Sequence, residues 1–204
     1  MKFAGRPSWQ VRTDLAQPLV IALHLRDAAG LDVAADAVVP PLEPAVPLDA
    51  ALVPYATEQA AAQWAQVWQS MLDNHPEFSG VPPVFAEPLH GLPAALTALA
   101  KAGLPNALAW FHACKQEDLQ YLRASGGRPG RRMGVGLGIG ELVRRIEQDN
   151  GREALPFTLR ISLLPVAGIW ARRVRHGHVL LSRSMCEDEA ACEAFLDPVL
   201  RDLA

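Results

Sequence analysis

The sequence predicts an α+β fold, in which a helical N-terminal two-thirds packs with a small C-terminal three-stranded antiparallel sheet and a C-terminal helix. Apolar residues recur at helical spacing through much of the N-terminal part, whereas residues 157–184 form three short β-type runs separated by turn residues. Half of the 204 residues are hydrophobic, which is enough for one well-buried core. We therefore expect a single globular domain over residues 1–204, with possible sub-lobes over 1–124 and 134–204.

The first elements predicted are a helix and an extended segment. Residues 18–29 alternate like a strand, but Pro18 and Gly30 occupy the positions that helices favour for these residues at their start and end, so we favour a helix. Residues 36–54 contain five prolines and should wrap extended over the surface. A regular element would lose too many amide donors there.

The clearest element is a helix over residues 57–74, for which Thr57 is a suitable N-cap. One face carries the apolar stripe of a helix that packs on a core. Its members are Ala60, Trp64, Val67, Trp68 and Met71.

The opposite face of this helix is uncharged. No charged residue lies between Glu58 and Asp73, although an exposed helix face normally carries Lys, Glu or Arg. Two explanations remain open: the glutamines bond to surrounding proline-rich segments, or this face meets a second chain. The second explanation gives a candidate partner-binding site with Trp68 as an anchor. Its residues are Gln59, Gln63, Gln66 and Trp68.

Two helices with a tight link are expected over residues 93–102 and 105–123, because "GLPAAL" and "GLPNAL" each place a proline in a possible first helical turn. Another helix should end near Asn150. Strands are expected within 157–164, 168–174 and 178–184. The last segment, 187–204, should be helical, with Pro198 kinking or restarting it.

The glycine-rich stretch "GVGLGIGE" resembles a phosphate-binding loop only superficially. A dinucleotide fingerprint needs a third glycine where this chain has Ile139 or Glu141, and a Walker loop needs Lys-Ser/Thr after its last glycine. The acid at 141 would also compete with phosphate for the amides of the helix N-terminus. We expect these glycines to permit a tight turn or close packing.

Metal and nucleophile patterns are weak. His176, His178, Cys186 and Cys192 do not have a standard zinc spacing, and "RHGH" is typical of a hairpin turn that would separate the two rings. The three cysteines are expected to be free thiols. His112 and Cys114 would point about 200° apart on a helix. We expect no catalytic residue, metal or cofactor, and we expect His24 and His112 to be buried and hydrogen-bonded.

The arginines give a second candidate site. Residues 1–102 hold 5 basic and 10 acidic side chains, whereas residues 115–183 hold 13 basic and 6 acidic ones. An exposed Arg- and Gly-rich loop over 124–133, with the helix after it, would suit an anion or nucleic acid. Against nucleic acid, no aromatic residue lies between Tyr121 and Phe157 to stack on bases, and the net charge is −3. The candidate residues are Arg123, Arg128, Arg131, Arg132, Arg144 and Arg145.

The first functional hypothesis is therefore a non-enzymatic protein–protein interaction or accessory protein, whose partner is another protein or a second copy in a homodimer. An anion or nucleic-acid binder that uses the arginine loop is the alternative, with nucleic acid the less favoured ligand. An enzyme whose site is not visible as a motif is the second alternative. We expect a cytoplasmic protein with no membrane partner, because the chain shows no secretory signal and no apolar run near the roughly 20 residues that cross a bilayer.

Overall fold

The structure is a computed structural model that describes residues 9–33, 39–73, 92–124 and 138–204. Within these ranges it contains six α-helices and a four-stranded mixed sheet, so the predicted α+β class is confirmed. The chain divides into two compact units. A sheet unit holds the residues before 16, those from 122 to 163 and those from 168 onward; a helical unit holds residues 16–121 and 164–167.

The prediction of a three-stranded antiparallel sheet was wrong. Strand β1 (Gln10–Leu15) pairs in parallel with β2 (Thr158–Leu164), and β3 (Ala171–Arg175) pairs antiparallel with β4 (His178–Ser182). The strand order is β1-β2-β4-β3. In β1 the apolar alternation is interrupted by Thr13, and its partner lies far away in the sequence, so no hairpin signal marks it.

One face of the sheet builds the core of the sheet unit. Alternate residues of β2 and β4 pack against helix α4 (Ile139–Asn150) and helix α6 (Glu189–Leu203), as period-2 strands and amphipathic helices require. The most deeply buried members are Leu159, Ile161, Val179, Leu181, Val143, Ile146, Leu196 and Leu200.

Ser182 ends the last strand earlier than predicted. Its hydroxyl oxygen accepts hydrogen bonds from the amides of Trp170 and Met185, each 3.0 Å away, and donates to the carbonyl of Gly168 at 2.7 Å. This N-cap starts the short helix α5 (Arg183–Glu187). Helix α6 then runs through Pro198 without a second start.

The helical unit is organised around α1 (Gln17–Ala29), which confirms the helix favoured for residues 18–29. Gly30 ends this helix in the left-handed conformation at φ 69°. Helix α2 (Glu58–Asp73) packs against α1, and the Thr57 hydroxyl accepts from the Ala60 amide at 3.1 Å as its N-cap. Trp64 stacks on Trp68 with centroids 5.3 Å apart. The apolar stripe predicted for this helix is therefore largely its core face.

The proline-rich segment is fastened to α1 by a buried ion pair. Arg26 donates to the carbonyls of Val39 at 2.6 Å and Pro40 at 3.0 Å, and it pairs with Asp27 at 2.6 Å. The other carboxylate oxygen of Asp27 accepts the amide of Leu42 at 2.7 Å. From residue 39 onward the segment is largely irregular and exposed, as predicted, with a 3-10 turn at Val53–Tyr55; residues 36–38 lie outside the described ranges.

The two helices predicted over 93–102 and 105–123 are one helix, α3 (Ala94–Ala124), with Pro105 inside it. The predicted link was wrong because burial on both sides of the Gly-Leu-Pro phrase outweighs the missing amide of Pro105. Gly103 allows a close approach: a Cβ there would lie 2.5 Å from a methyl of Leu25 and 3.0 Å from one of Leu52. The buried residues of this helix include Leu99, Ala100, Leu104, Ala107 and Phe111.

Replacing Arg26 with Met should lower the free energy of unfolding by about 3 kcal/mol, because the carboxylate of Asp27 loses its cationic partner and two carbonyls lose their donor. Arg26→Lys should recover only part of this loss, since one ammonium cannot reproduce the guanidinium fork. Urea unfolding followed by tryptophan fluorescence measures both. Arg152→Met, at an exposed position, is the matched control and should change stability by less than about 0.5 kcal/mol. A wild-type midpoint for Arg26→Met would contradict this account.

Candidate functional site

The uncharged face of α2 lies on the surface. Gln59 and Gln66 are exposed and Gln63 is half-buried. Trp68, by contrast, is only 1% exposed and stacks inside the helical unit, so it belongs to the unit's own core. The part of the predicted partner-binding site that another chain can reach therefore consists of the glutamines.

Gln63 bears on the explanation in which the glutamines bond to proline-rich segments. Its side-chain oxygen is shielded from solvent and has no hydrogen-bond partner in the part of the chain that the structure describes. A shielded amide oxygen without a partner is costly, so within the described ranges no hydrogen bond to a proline-rich segment stabilises this position.

Three exposed hydrophobic side chains lie just before α2 in the sequence. Leu48 is 67% exposed, Val53 48% and Tyr55 38%. Sequence reasoning missed them because it treated the proline-rich segment only as a cover over the core. The available signal was the placement of large apolar residues beside Pro47 and Pro54 in a segment too rich in proline to form a regular buried element.

A groove lies beside Leu48, since a Cβ at its lining residue Gly30 would be 2.9 Å from a methyl of Leu48. Its volume is about 340 Å³, and it runs from the C-terminal end of α1 along the first turns of α2. Among the described residues that line it, Asp32 and Glu58 carry carboxylates, and both are exposed. The remaining lining residues are Gly30, Ala56, Thr57, Ala61, Ala62 and Ala65.

The side chains of Asp32 and Glu58 differ from that of Asp49 in their bonding partners. One oxygen of Asp49 accepts the Ala51 amide at 2.9 Å, and the other accepts from Asn106 at 3.3 Å. Asp32 and Glu58 form no salt bridge with any residue of the described ranges. They are therefore available to a cation from outside.

The candidate anion site is only partly visible. Arg128, Arg131 and Arg132 lie outside the described residues, as does the side chain of Arg123. Arg144 is exposed on α4. Its neighbour Arg145 lies 2.6 Å from Glu193 and 3.6 Å from Asp197 of α6, and the hydrogen bond to Glu193 raises the pKa of this guanidinium.

Arg145 is one member of a charge network that joins α4 to α6. Arg201 binds Asp149 and Asp197, each at 2.7 Å, so Asp197 is shared by two arginines. Because these arginines already have carboxylate partners, their charge is largely compensated within the sheet unit. The described part of the arginine cluster thus gives little support to an anion site.

A buried polar cluster crosses the sheet. The hydroxyl of Ser162 on β2 donates to Asp14 of β1 at 3.1 Å and lies 3.1 Å from Nε2 of His178 on β4. Arg160 donates to the other oxygen of Asp14 at 3.3 Å. A hydrolytic triad would place the carboxylate on the histidine, whereas here it binds the serine hydroxyl. Ser162 is fully buried and His178 is 1% exposed, so the serine hydroxyl is not accessible as a nucleophile. The cluster instead connects three strands of the sheet.

The two histidines and two cysteines considered as metal ligands do not form one cluster in the fold. His176 is exposed beside Asp202, whereas His178 is buried, and Gly177 turns the hairpin between them at φ 72°. Cys186 and Cys192 are buried in the sheet unit's core. No group of three or more His, Cys, Asp or Glu side chains within the described ranges is arranged to hold a metal ion.

The end of the glycine-rich stretch makes a turn. Gly138 precedes α4 with φ 59°, a left-handed conformation that favours glycine, and Gly140 lies against the ring of Trp9. The glycines at 134 and 136 lie outside the described residues.

Comparison with known proteins finds no match: no family model, no curated protein and no solved structure matches this chain. Among the helices described, none is long and apolar enough to cross a membrane.

Cys186 and Cys192 should resist alkylation in the folded protein. Burial is the main cause that raises the pKa of Cys186 to about 12 and that of Cys192 to about 11, so little thiolate exists at about pH 8. Mass-spectrometric mapping after iodoacetamide should find both unmodified until guanidinium chloride unfolds the chain. A cysteine introduced by Gln148→Cys, exposed on α4, should react in the native state. Equal labelling at all three positions would contradict this expectation.

His24 should make stability depend on pH. As predicted it is buried, but its Nδ1 has no hydrogen-bond partner in the described part of the chain; His112, predicted buried, is exposed. Burial lowers the pKa of His24, against the opposing effect of Asp27 and Asp49. The unfolded chain therefore binds this proton first, so the free energy of unfolding should fall as pH drops below about 6.5.

Urea titrations at several pH values test this dependence. His24→Gln should flatten the profile below about pH 6.5. The matched control, His112→Gln, should keep the wild-type slope because that side chain is exposed. If both variants keep the wild-type slope, His24 is not the group responsible.

Proposed function

We propose that this protein is a non-enzymatic interaction protein that binds another protein chain through a docking surface on its helical unit. The docking surface comprises Leu48, Val53, Tyr55 and the exposed glutamines Gln59 and Gln66. The observation that carries the proposal is that three large exposed hydrophobic side chains immediately precede a helix face without charge.

The chemistry of this surface suits the centre of a protein interface. Interface centres are depleted in charged residues and enriched in aromatic ones, and Tyr55 is an aromatic of the favoured kind. Glutamine amides both donate and accept hydrogen bonds, so a partner can bury them at a lower cost than it could bury carboxylates or ammonium groups.

A different protein is better supported as the partner than a second copy. Residues 16–121 contain three basic and eleven acidic side chains, a formal net charge of −8. Two copies that met through this surface would bring these like charges together, and like charges across an interface disfavour association. The homodimer is thus an outcome that the experiment distinguishes, and the anion binder lacks a comparable supporting observation.

A photo-crosslinking residue placed at Gln66 in the host cell should give one dominant adduct, because that side chain would lie within the interface. Gln148, exposed on α4 of the sheet unit, is the matched control position and should not give this adduct. An adduct with a second copy of this chain would identify a homodimer and overturn the heterologous partner. Equal adducts at both positions, or none, would overturn the docking surface itself.

Carboxylates introduced by Gln59→Glu with Gln66→Glu should weaken binding of the crosslinked partner by about tenfold or more, because each brings a charge into a desolvated contact. Both side chains are exposed in the free protein, so thermal melting should stay unchanged. Binding is measured by titration with the recovered partner, and Gln148→Glu should leave the affinity at the wild-type value. An unchanged affinity in the double variant would exclude the α2 face.

A further inference from the structure

We infer that the segment of the partner that binds here is basic and apolar, and that one of its Lys or Arg side chains occupies the groove between Asp32 and Glu58. This inference rests on the proposed function, since it specifies the chemistry of the partner for the same docking surface.

The groove is shaped and lined for a long cationic side chain. Its lining includes Ala61, Ala62 and Ala65, whose methyl groups suit the methylene stem of Lys or Arg, and Asp32 and Glu58, whose carboxylates suit the charged head. A volume of about 340 Å³ lies at the lower end of the range for ligand pockets, which is enough for one such side chain and part of its backbone.

The groove borders the apolar part of the docking surface at Leu48. A Cβ at Gly30 would lie 2.9 Å from a methyl of Leu48, so Leu48 adjoins the groove wall. Tyr55 is joined to the groove lining through the backbone, because its carbonyl accepts the amide of Thr57 at 2.9 Å. A segment with an apolar residue next to a basic one would therefore contact both regions.

Electrostatics favours a cation over an anion at this place. The groove lies at the C-terminal end of α1, where the helix dipole is negative. The positive N-terminal end of α2 also borders it, where the Thr57 hydroxyl accepts the amide of Ala60. The two wall carboxylates and the net charge of −8 over residues 16–121 outweigh that end, so they repel anions and attract basic segments.

The test uses the purified full chain and two labelled peptides of the same length, one with alternating Leu and Arg and one with alternating Leu and citrulline. Citrulline keeps the shape of arginine without its charge. Fluorescence anisotropy should show that the Leu-Arg peptide binds about tenfold or more tightly than its neutral counterpart.

Two charge-reversal variants distinguish binding in the groove from general electrostatic attraction to the helical unit. Asp32→Lys with Glu58→Lys should weaken Leu-Arg binding by about tenfold or more. Glu43→Lys with Glu117→Lys changes the net charge equally at exposed positions of the helical unit away from the groove, and should lower the affinity by less than about twofold. Circular dichroism should show that both variants are folded, because all four side chains are exposed.

Equal weakening in the two variants, or equal binding of the two peptides, would overturn the inference. Crosslinking at Gln66 tests the proposed function independently of the groove. If the partner crosslinks there but binds Asp32→Lys with Glu58→Lys as tightly as wild type, the docking surface stands and the groove is not its cation site. If no adduct forms at Gln66, the proposed function itself fails.

Discussion

The helical unit depends on the buried ion pair between Arg26 and Asp27. A segment rich in proline has few amide donors, so it cannot hold itself in place by pairing with its own backbone. The guanidinium replaces those missing donors by binding two successive carbonyls, and it lies 5.6 Å above the ring of Trp64. Cation and aromatic ring thereby connect the segment, α1 and α2 in one contact.

The segment that this contact fastens divides its large apolar side chains between the interior and the surface. Leu42 and Leu52 are buried, whereas the side chains at 48, 53 and 55 are exposed. In an unbound chain these side chains expose apolar area to water. Covering that area with a partner lowers the free energy, which makes this surface suitable for recognition.

How much could be predicted from the sequence depended on how local each signal was. The α2 stripe, the left-handed glycine at 30 and the β3–β4 hairpin follow from spacing within a few residues, and all three were predicted in kind. Strand β1 and the continuity of α3 were missed, because a distant parallel partner decides the first and burial around Gly103 decides the second. The glutamine face was visible as a pattern, whereas the groove joins residues that follow α1 to the start of α2, so no single stretch of sequence signals it.

The position of β1 in the sequence also affects the order in which the two units can fold. Its six residues are synthesised before the rest of the sheet, and the strand they pair with is synthesised only after residue 157. Residues 16–121 are contiguous and rich in local helical contacts, so most of the helical unit can fold during synthesis, while the sheet must wait for a long-range closure. During that interval β1 has two unpaired edges, and the charged pair Arg12 and Asp14 reduces its tendency to associate with other strands.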